Sequence, residues 1–84
     1  MTAFQRLEGA TEGTWRSLLG RKVSVRYRLR DDPEHDSSEV IGIVMSIKSD
    51  ETDGAQISIV DKRGDITKVA IDDVMAGKAW VEGT

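Results

Sequence analysis

The clearest pattern in the chain is an alternation of apolar and polar side chains over residues 22–30. The apolar positions are Val23, Val25, Tyr27 and Leu29, and the polar positions are Lys22, Ser24, Arg26, Arg28 and Arg30. Successive side chains of a β-strand point to opposite faces. The pattern therefore predicts a strand with one face buried and the other in water.

Weaker alternation, bounded by turn residues, predicts four further strands. They are expected at residues 39–48, 55–61, 66–71 and 78–82. The breaks between them are a polar loop at Asp31–Ser38, a turn at Ser49–Gly54 and a tight hairpin at Asp61–Asp65 with a glycine at its tip. Gly42 lies inside the second strand and predicts a bend or bulge, as small barrels need to close.

A short helix is expected before the first strand. Thr14 can cap it, with Thr11 as a competing start, and Trp15, Leu18 and Leu19 fall on one helical face. Gly20 stands where such a helix ends. Because a helix of one or two turns is unstable alone in water, its apolar face must dock onto the strands.

This order of elements predicts a mainly β fold. We expect a small five-stranded SH3-like barrel with a short N-terminal helix and a single helical turn, at residues 72–77, before the last strand. Residues 1–13 are expected to be a flexible lead-in and residues 14–84 to form the barrel. A length of 84 residues allows one small domain.

Catalytic and metal-binding chemistry is scarce in the sequence. The chain has no cysteine, which excludes a disulfide scaffold, a thiolate metal site and a cysteine nucleophile. His35, the single histidine, lies in the acidic loop. This segment is either a solvated loop or a weak binding site for a divalent ion. The pairs Asp31-Asp32 and Asp72-Asp73 fit turn and cap positions. We therefore predict no catalytic residue, no resident metal and no cofactor, and so no enzyme.

The formal net charge of -3 conceals two oppositely charged parts. Residues 1–30 carry seven basic and two acidic side chains, a balance of +5, and residues 31–84 carry five basic and thirteen acidic ones, a balance of −8. The arginines of the first strand would project from one face about 7 Å apart. They can pair within the chain, bind a protein or bind a nucleic acid.

The two tryptophans are either packing residues or an exposed docking pair. With the basic strand face they complete the set of candidate partner-binding residues: Lys22, Arg26, Arg28, Arg30, Trp15 and Trp80.

Two segments carry a resemblance to a known family. Trp15–Leu29 has a glycine followed by paired bases and a valine–arginine strand, and Lys62–Lys78 has a hairpin, a helical turn and the start of a last strand. Together they resemble the SH3-like N-terminal domain of certain actinobacterial GNAT-family acetyltransferases. The resemblance implies a non-catalytic accessory module whose partner is an acetyltransferase domain, linked in the same chain or separate. It implies no acetyl-CoA site here, because the Q/R-x-x-G-x-G/A loop is missing.

Two alternative functions remain open on the sequence. One is a small regulatory barrel of the ferrous-iron-transport A type, and the other is a nucleic-acid-binding barrel that uses Arg26, Arg28 and Arg30. The longest apolar stretch, Val40–Ile47, is far shorter than the ~20 residues that a membrane-spanning helix requires. With no signal-peptide pattern at the N-terminus, the expected location is the cytoplasm.

Overall fold

The computed structural model describes residues 2–50 and 54–82. Over these residues the chain forms six β-strands, one α-helix and one 3-10 turn. In chain order they are β1 (Thr2–Arg6), α1 (Glu12–Ser17), β2 (Lys22–Arg28), β3 (Ser37–Asp50), β4 (Gly54–Val60), β5 (Ile66–Ala70), the 3-10 turn (Ile71–Asp73) and β6 (Val74–Glu82).

All six strands join one antiparallel sheet in the order β1-β6-β2-β3-β4-β5. The long strand β3 pairs with β2 up to Ile43 and with β4 from Ile43 onward. A bulge between Val44 and Ser46 shifts the register of the second ladder. Because bulges bend a strand and increase its twist, this one turns the sheet over its own inner face. The result is an open small barrel with β1 and β5 at its edges.

The mainly β barrel, the short helix and the helical turn before the last strand are confirmed. The structure has one strand more than the five predicted. The additional strand is β1, which lies in the predicted lead-in and pairs with β6. Opposite the buried Ala79, β1 carries the polar and exposed Gln5, so the alternation that marks a half-buried strand is missing. The apolar contact comes instead from Leu7, which follows the strand and is 1% exposed.

Helix α1 begins at the earlier of the two predicted caps. The Thr11 hydroxyl accepts a hydrogen bond from the Thr14 backbone N–H at 3.3 Å. Trp15 and Leu18 are buried as expected, but Leu19 is 46% exposed, because the helix ends at Ser17 and Leu19 does not lie on its apolar face. Gly20 adopts a positive φ of 81° in the turn that follows. The buried apolar side chains of this segment therefore pack into the core of the barrel.

Several other boundaries differ from the prediction: β2 ends two residues earlier, β3 begins two residues earlier and ends two residues later, and β6 begins four residues earlier. The helical turn expected at residues 72–77 ends at Asp73, because Val74 already pairs with Tyr27 of β2. The turn expected at Ser49–Gly54 is shorter, since Ser49 belongs to β3. Residues 51–53 of that turn, and residues 1, 83 and 84, lie outside the described residues.

The core lies on the inner face of the curved sheet and under the helix. Its buried members are Leu7, Trp15, Leu18, Val23, Val25, Val40, Val44, Ile57, Ile59, Val69 and Ala79. The bend or bulge predicted at Gly42 occurs three residues later, at Met45. Gly42 is instead a point of close approach, where an added Cβ would lie 2.2 Å from the Val60 carbonyl oxygen.

No helix in the described part of the chain has the length and apolar character needed to cross a membrane.

Candidate protein-interaction surface

An apolar band crosses the outer face of the sheet from one edge strand to the other. Strand register, together with a cation–π contact between Lys22 and Trp80, gives its members one per strand, in sheet order: Phe4, Trp80, Lys22, Ile43, Val60 and Ile66. Ile41, on the same face of β3 as Ile43, is also a member of the band. Residues paired directly across neighbouring strands project from the same face, so these side chains form one continuous surface. Lys22 contributes its aliphatic stem to it.

Several members of the apolar band are unusually exposed for their type. Phe4 and Ile66 are each 54% exposed, and Ile41 and Ile43 are 53% and 38% exposed. Scattered apolar side chains are common on protein surfaces, but a contiguous patch of them marks an interaction site. The band is therefore the candidate functional site of this domain.

The aromatic half of the band is organised by ring and cation contacts. The rings of Phe4 and Trp80 meet edge to face, with centroids 5.4 Å apart and planes inclined by 68°. The Lys22 ammonium lies 5.2 Å from the Trp80 ring centroid, and the Lys78 ammonium lies 5.1 Å from that of Phe4. Cation–π attraction at exposed sites is worth about 0.5–1 kcal/mol, enough to hold both lysines over the rings.

The aliphatic half of the band forms a groove of about 520 Å³. We call it the aliphatic groove; its lining is Lys22, Ile41, Gly42, Ile43, Val60, Asp61, Lys62 and Arg63. The single carboxylate of the lining, Asp61, accepts hydrogen bonds from the backbone N–H groups of Arg63 at 2.8 Å and Asp65 at 3.0 Å. Asp61 is therefore bonded within the hairpin. The three basic side chains of the lining, Lys22, Lys62 and Arg63, give the groove a positive rim.

The predicted arginine row is divided in the structure. Arg26 and Arg28 project from the outer face of β2, where the Arg26 Nε donates to the Ser37 hydroxyl at 3.2 Å. Arg30 lies past the end of β2, and its Nε donates to Asp73 at 2.8 Å. That hydrogen bond and the Asp73 charge raise the pKa of Arg30 above its usual value. Of the three roles that the sequence left open for these arginines, Arg30 has the first, which is pairing within the chain.

The two tryptophans have opposite environments. Trp15 has no exposed surface and packs in the core, so it is not available to a partner. Trp80 is half-buried and lies in the apolar band beside Phe4. Of the six candidate residues, Lys22 and Trp80 are therefore brought together in the band, and Trp15 and the arginines lie elsewhere.

Sequence reasoning missed Phe4, Ile41, Ile43 and Ile66. One signal was present, because β3 has apolar residues on both of its faces. A sheet with a single core buries only one face, and that face carries Val40 and Val44. The isoleucines of the other face are consequently exposed.

The hydrogen bonds around Asp32 in the acidic loop are local. The Asp32 carboxylate accepts hydrogen bonds from the backbone N–H groups of Glu34 and His35, and His35 Nδ1 lies 3.4 Å from its other oxygen. Nowhere in residues 2–50 and 54–82 do three or more histidine or carboxylate side chains gather as a metal site.

A polar cluster ties the helix to the end of β3. The Ser49 hydroxyl donates a hydrogen bond to the Glu12 carboxylate, and Arg16 binds both residues, at 3.4 Å to Glu12 and 3.1 Å to Ser49. The Ser49 hydrogen bond and, to a lesser extent, the Arg16 charge hold the pKa of Glu12 below its ordinary value of 4.5.

We expect this cluster to give the domain a modest acid sensitivity. A carboxylate whose folded pKa is depressed stabilises the fold above its unfolded pKa, and that contribution is lost as the pH falls through the folded pKa. The loss of stability between neutral pH and pH values below 4.5 should be smaller in Glu12→Gln than in the wild type. Urea unfolding at both pH values measures the free energy of unfolding of each protein, and Glu8→Gln serves as the control. Equal losses in wild type and Glu12→Gln would contradict the assignment.

The curved antiparallel sheet and the short N-terminal helix define a small β-barrel domain. Residues 17–78 match the family described as the Rv0428c N-terminal Sm-like domain. Because the match covers most of the chain, the protein belongs to this family. No curated protein and no solved structure matches the chain.

Membership of this family supports an accessory role for the domain. The resemblance found in the sequence is thereby confirmed for the small-barrel module itself.

Proposed function

We propose that this domain is a non-catalytic module that docks on a GNAT-type acetyltransferase domain, in the same chain or as a separate protein. The observation that carries the proposal is the apolar band, which spans six strands and leaves four large side chains at least 38% exposed. Removing such a surface from water is the main driving force of protein association.

Two further observations support the choice of partner. The segments Trp15–Leu29 and Lys62–Lys78 resemble the module that precedes the catalytic domain of such acetyltransferases. The matching family is named for an N-terminal domain, so in Rv0428c this kind of domain stands at the start of the protein. Both favour a role beside a second domain.

Photo-cross-linking from the apolar band tests the docking partner. A photoreactive phenylalanine analogue placed at Ile66 or at Ile41 is expected to cross-link to an acetyltransferase domain in cells that express the protein. Lys48, which is exposed at the far end of β3, is the control position. Cross-links to an acetyltransferase from the band and none from position 48 support the proposal. Equal yields at both positions, or products that contain no acetyltransferase, refute it.

The isolated domain is expected neither to bind acetyl-CoA nor to transfer acetyl groups. The acyl-CoA loop of the acetyltransferase family is missing from the sequence. The aliphatic groove offers aliphatic side chains and cations rather than an acid–base pair. Calorimetry with acetyl-CoA should show no saturable heat. Stoichiometric binding with a micromolar Kd would overturn the non-catalytic assignment.

A further inference from the structure

The aliphatic groove has an apolar floor between two basic sides. Ile41, Ile43 and Val60 form the floor. Lys22 lies on one side, on β2, and Lys62 and Arg63 lie on the other, in the hairpin after β4. A ligand that fits this arrangement must bring aliphatic groups to the middle and negative charge to both sides.

We propose that the aliphatic groove receives an acidic amphipathic segment of the partner protein, in which aliphatic side chains are flanked by carboxylates. The inference rests on the proposed docking function and names the chemistry of the docked segment. The aliphatic side chains contact the isoleucine floor, and the carboxylates pair with Lys22 on one side and with Lys62 and Arg63 on the other.

Charge complementarity favours an anionic segment. Among the described residues, none of the three rim cations forms an ion pair within the chain. Asp61, the only carboxylate of the lining, already accepts two backbone hydrogen bonds. The groove therefore keeps a net positive charge, which attracts carboxylates and repels basic segments.

The same geometry favours a peptide over a single-stranded nucleic acid. Single strands bind where bases stack on open aromatic faces along a basic track. The aromatic rings of the band lie outside the aliphatic groove, and Lys22 and Lys78 already stand over Trp80 and Phe4. The groove itself has an isoleucine floor, which suits leucine or isoleucine side chains.

Fluorescence anisotropy with a synthetic probe tests the inference. The probe is a fluorescein-labelled peptide in which two central leucines are flanked on both sides by glutamates. We expect saturable binding at low ionic strength, weakened about tenfold by the double substitution Lys62→Glu/Arg63→Glu, because two attractive charge pairs become repulsive. The control variant Lys48→Glu reverses one charge in the same way, at a position about 16 Å along β3 from Ile43. It should leave the affinity for the peptide nearly unchanged.

Two peptide controls separate the charge from the apolar contact. Replacing the glutamates of the probe by glutamines, or its leucines by serines, should each weaken binding to the wild-type domain about tenfold. Circular dichroism of each variant verifies that it is folded. Chemical-shift changes at Ile41, Ile43 and Val60 should place the peptide in the groove.

The outcomes that overturn the inference are distinct from those that refute docking. Equal binding of the glutamine and glutamate peptides, or no binding of either, overturns the acidic segment. Tighter binding of a labelled oligouridine, lost in the same double variant, overturns it as well. The docking proposal is judged separately by the cross-links from Ile66 and Ile41. These can reach an acetyltransferase whatever the charge of the segment in the groove.

Discussion

Substitution of Gly42 by alanine is expected to destabilise the domain by about 1–3 kcal/mol or more, the range found when extra atoms are forced into a packed site. The added Cβ would lie 2.2 Å from the carbonyl oxygen and 2.7 Å from the carbonyl carbon of Val60. Both atoms belong to the backbone of β4, so no side-chain rotation can relieve the clash. Strands β3 and β4 would have to separate where their ladder begins at Ile43 and Val60.

Gly13→Ala is the matched control for this substitution. Gly13 lies in α1, and an added Cβ there meets only the Thr11 hydroxyl oxygen, at 3.8 Å. Alanine favours the helix, so the control should stabilise the domain by about 0.5–1 kcal/mol. Urea unfolding followed by circular dichroism measures both variants. A Gly42→Ala variant as stable as the wild type would show that β3 and β4 are not closely apposed at this point.

The barrel was predictable because its strongest signals are local. Alternation over residues 22–30 gave β2, which the structure bounds at Lys22–Arg28. Turn residues separated the later strands in the right order. Strand β1 was missed for a physical reason: it is an edge strand, and the polar, exposed Gln5 opposite the buried Ala79 breaks the pattern on which strand prediction depends.

The candidate site was less predictable, because it depends on pairing between strands that are distant in sequence. Phe4 meets Trp80, and Ile43 meets Val60, only after six strands have found their register. No local pattern contains that information. Sequence reasoning therefore found Lys22 and Trp80 by residue type but not the surface that joins them.

The charge separation along the sequence is also partly undone by folding. Arg30, from the basic third of the chain, forms an ion pair with Asp73 from the acidic remainder. Arg26 lies directly opposite Glu39 on β3. A sheet that pairs β2 with β3 and β6 necessarily mixes the two parts. A basic surface remains at the rim of the aliphatic groove, where Lys22 comes from the basic part of the sequence and Lys62 and Arg63 come from the acidic part.

Trp15→Ala is expected to have the largest effect of any single substitution, a loss of about 3–5 kcal/mol. Trp15 is completely buried and is among the largest side chains of the core. A domain of 84 residues has a total stability of only about 4–13 kcal/mol, so this variant should be barely folded or unfolded. Trp15 is the buried residue of α1, and Leu18 follows at its C-cap, so without the indole we expect the helix to detach from the barrel.

Two variants keep this prediction testable if Trp15→Ala does not fold. Trp15→Phe retains an aromatic ring and removes the indole Nε1, a buried donor with no hydrogen-bond partner among the described residues, so it should cost only about 1–2 kcal/mol. Trp80→Ala removes the same side chain from the half-buried outer face and should cost no more than about 2 kcal/mol. Urea unfolding followed by circular dichroism ranks all three. If Trp80→Ala lowered the free energy of unfolding as much as Trp15→Ala, the indole of Trp80 would be needed for the stability of the fold. The apolar band would then not be a surface that is free to bind a partner.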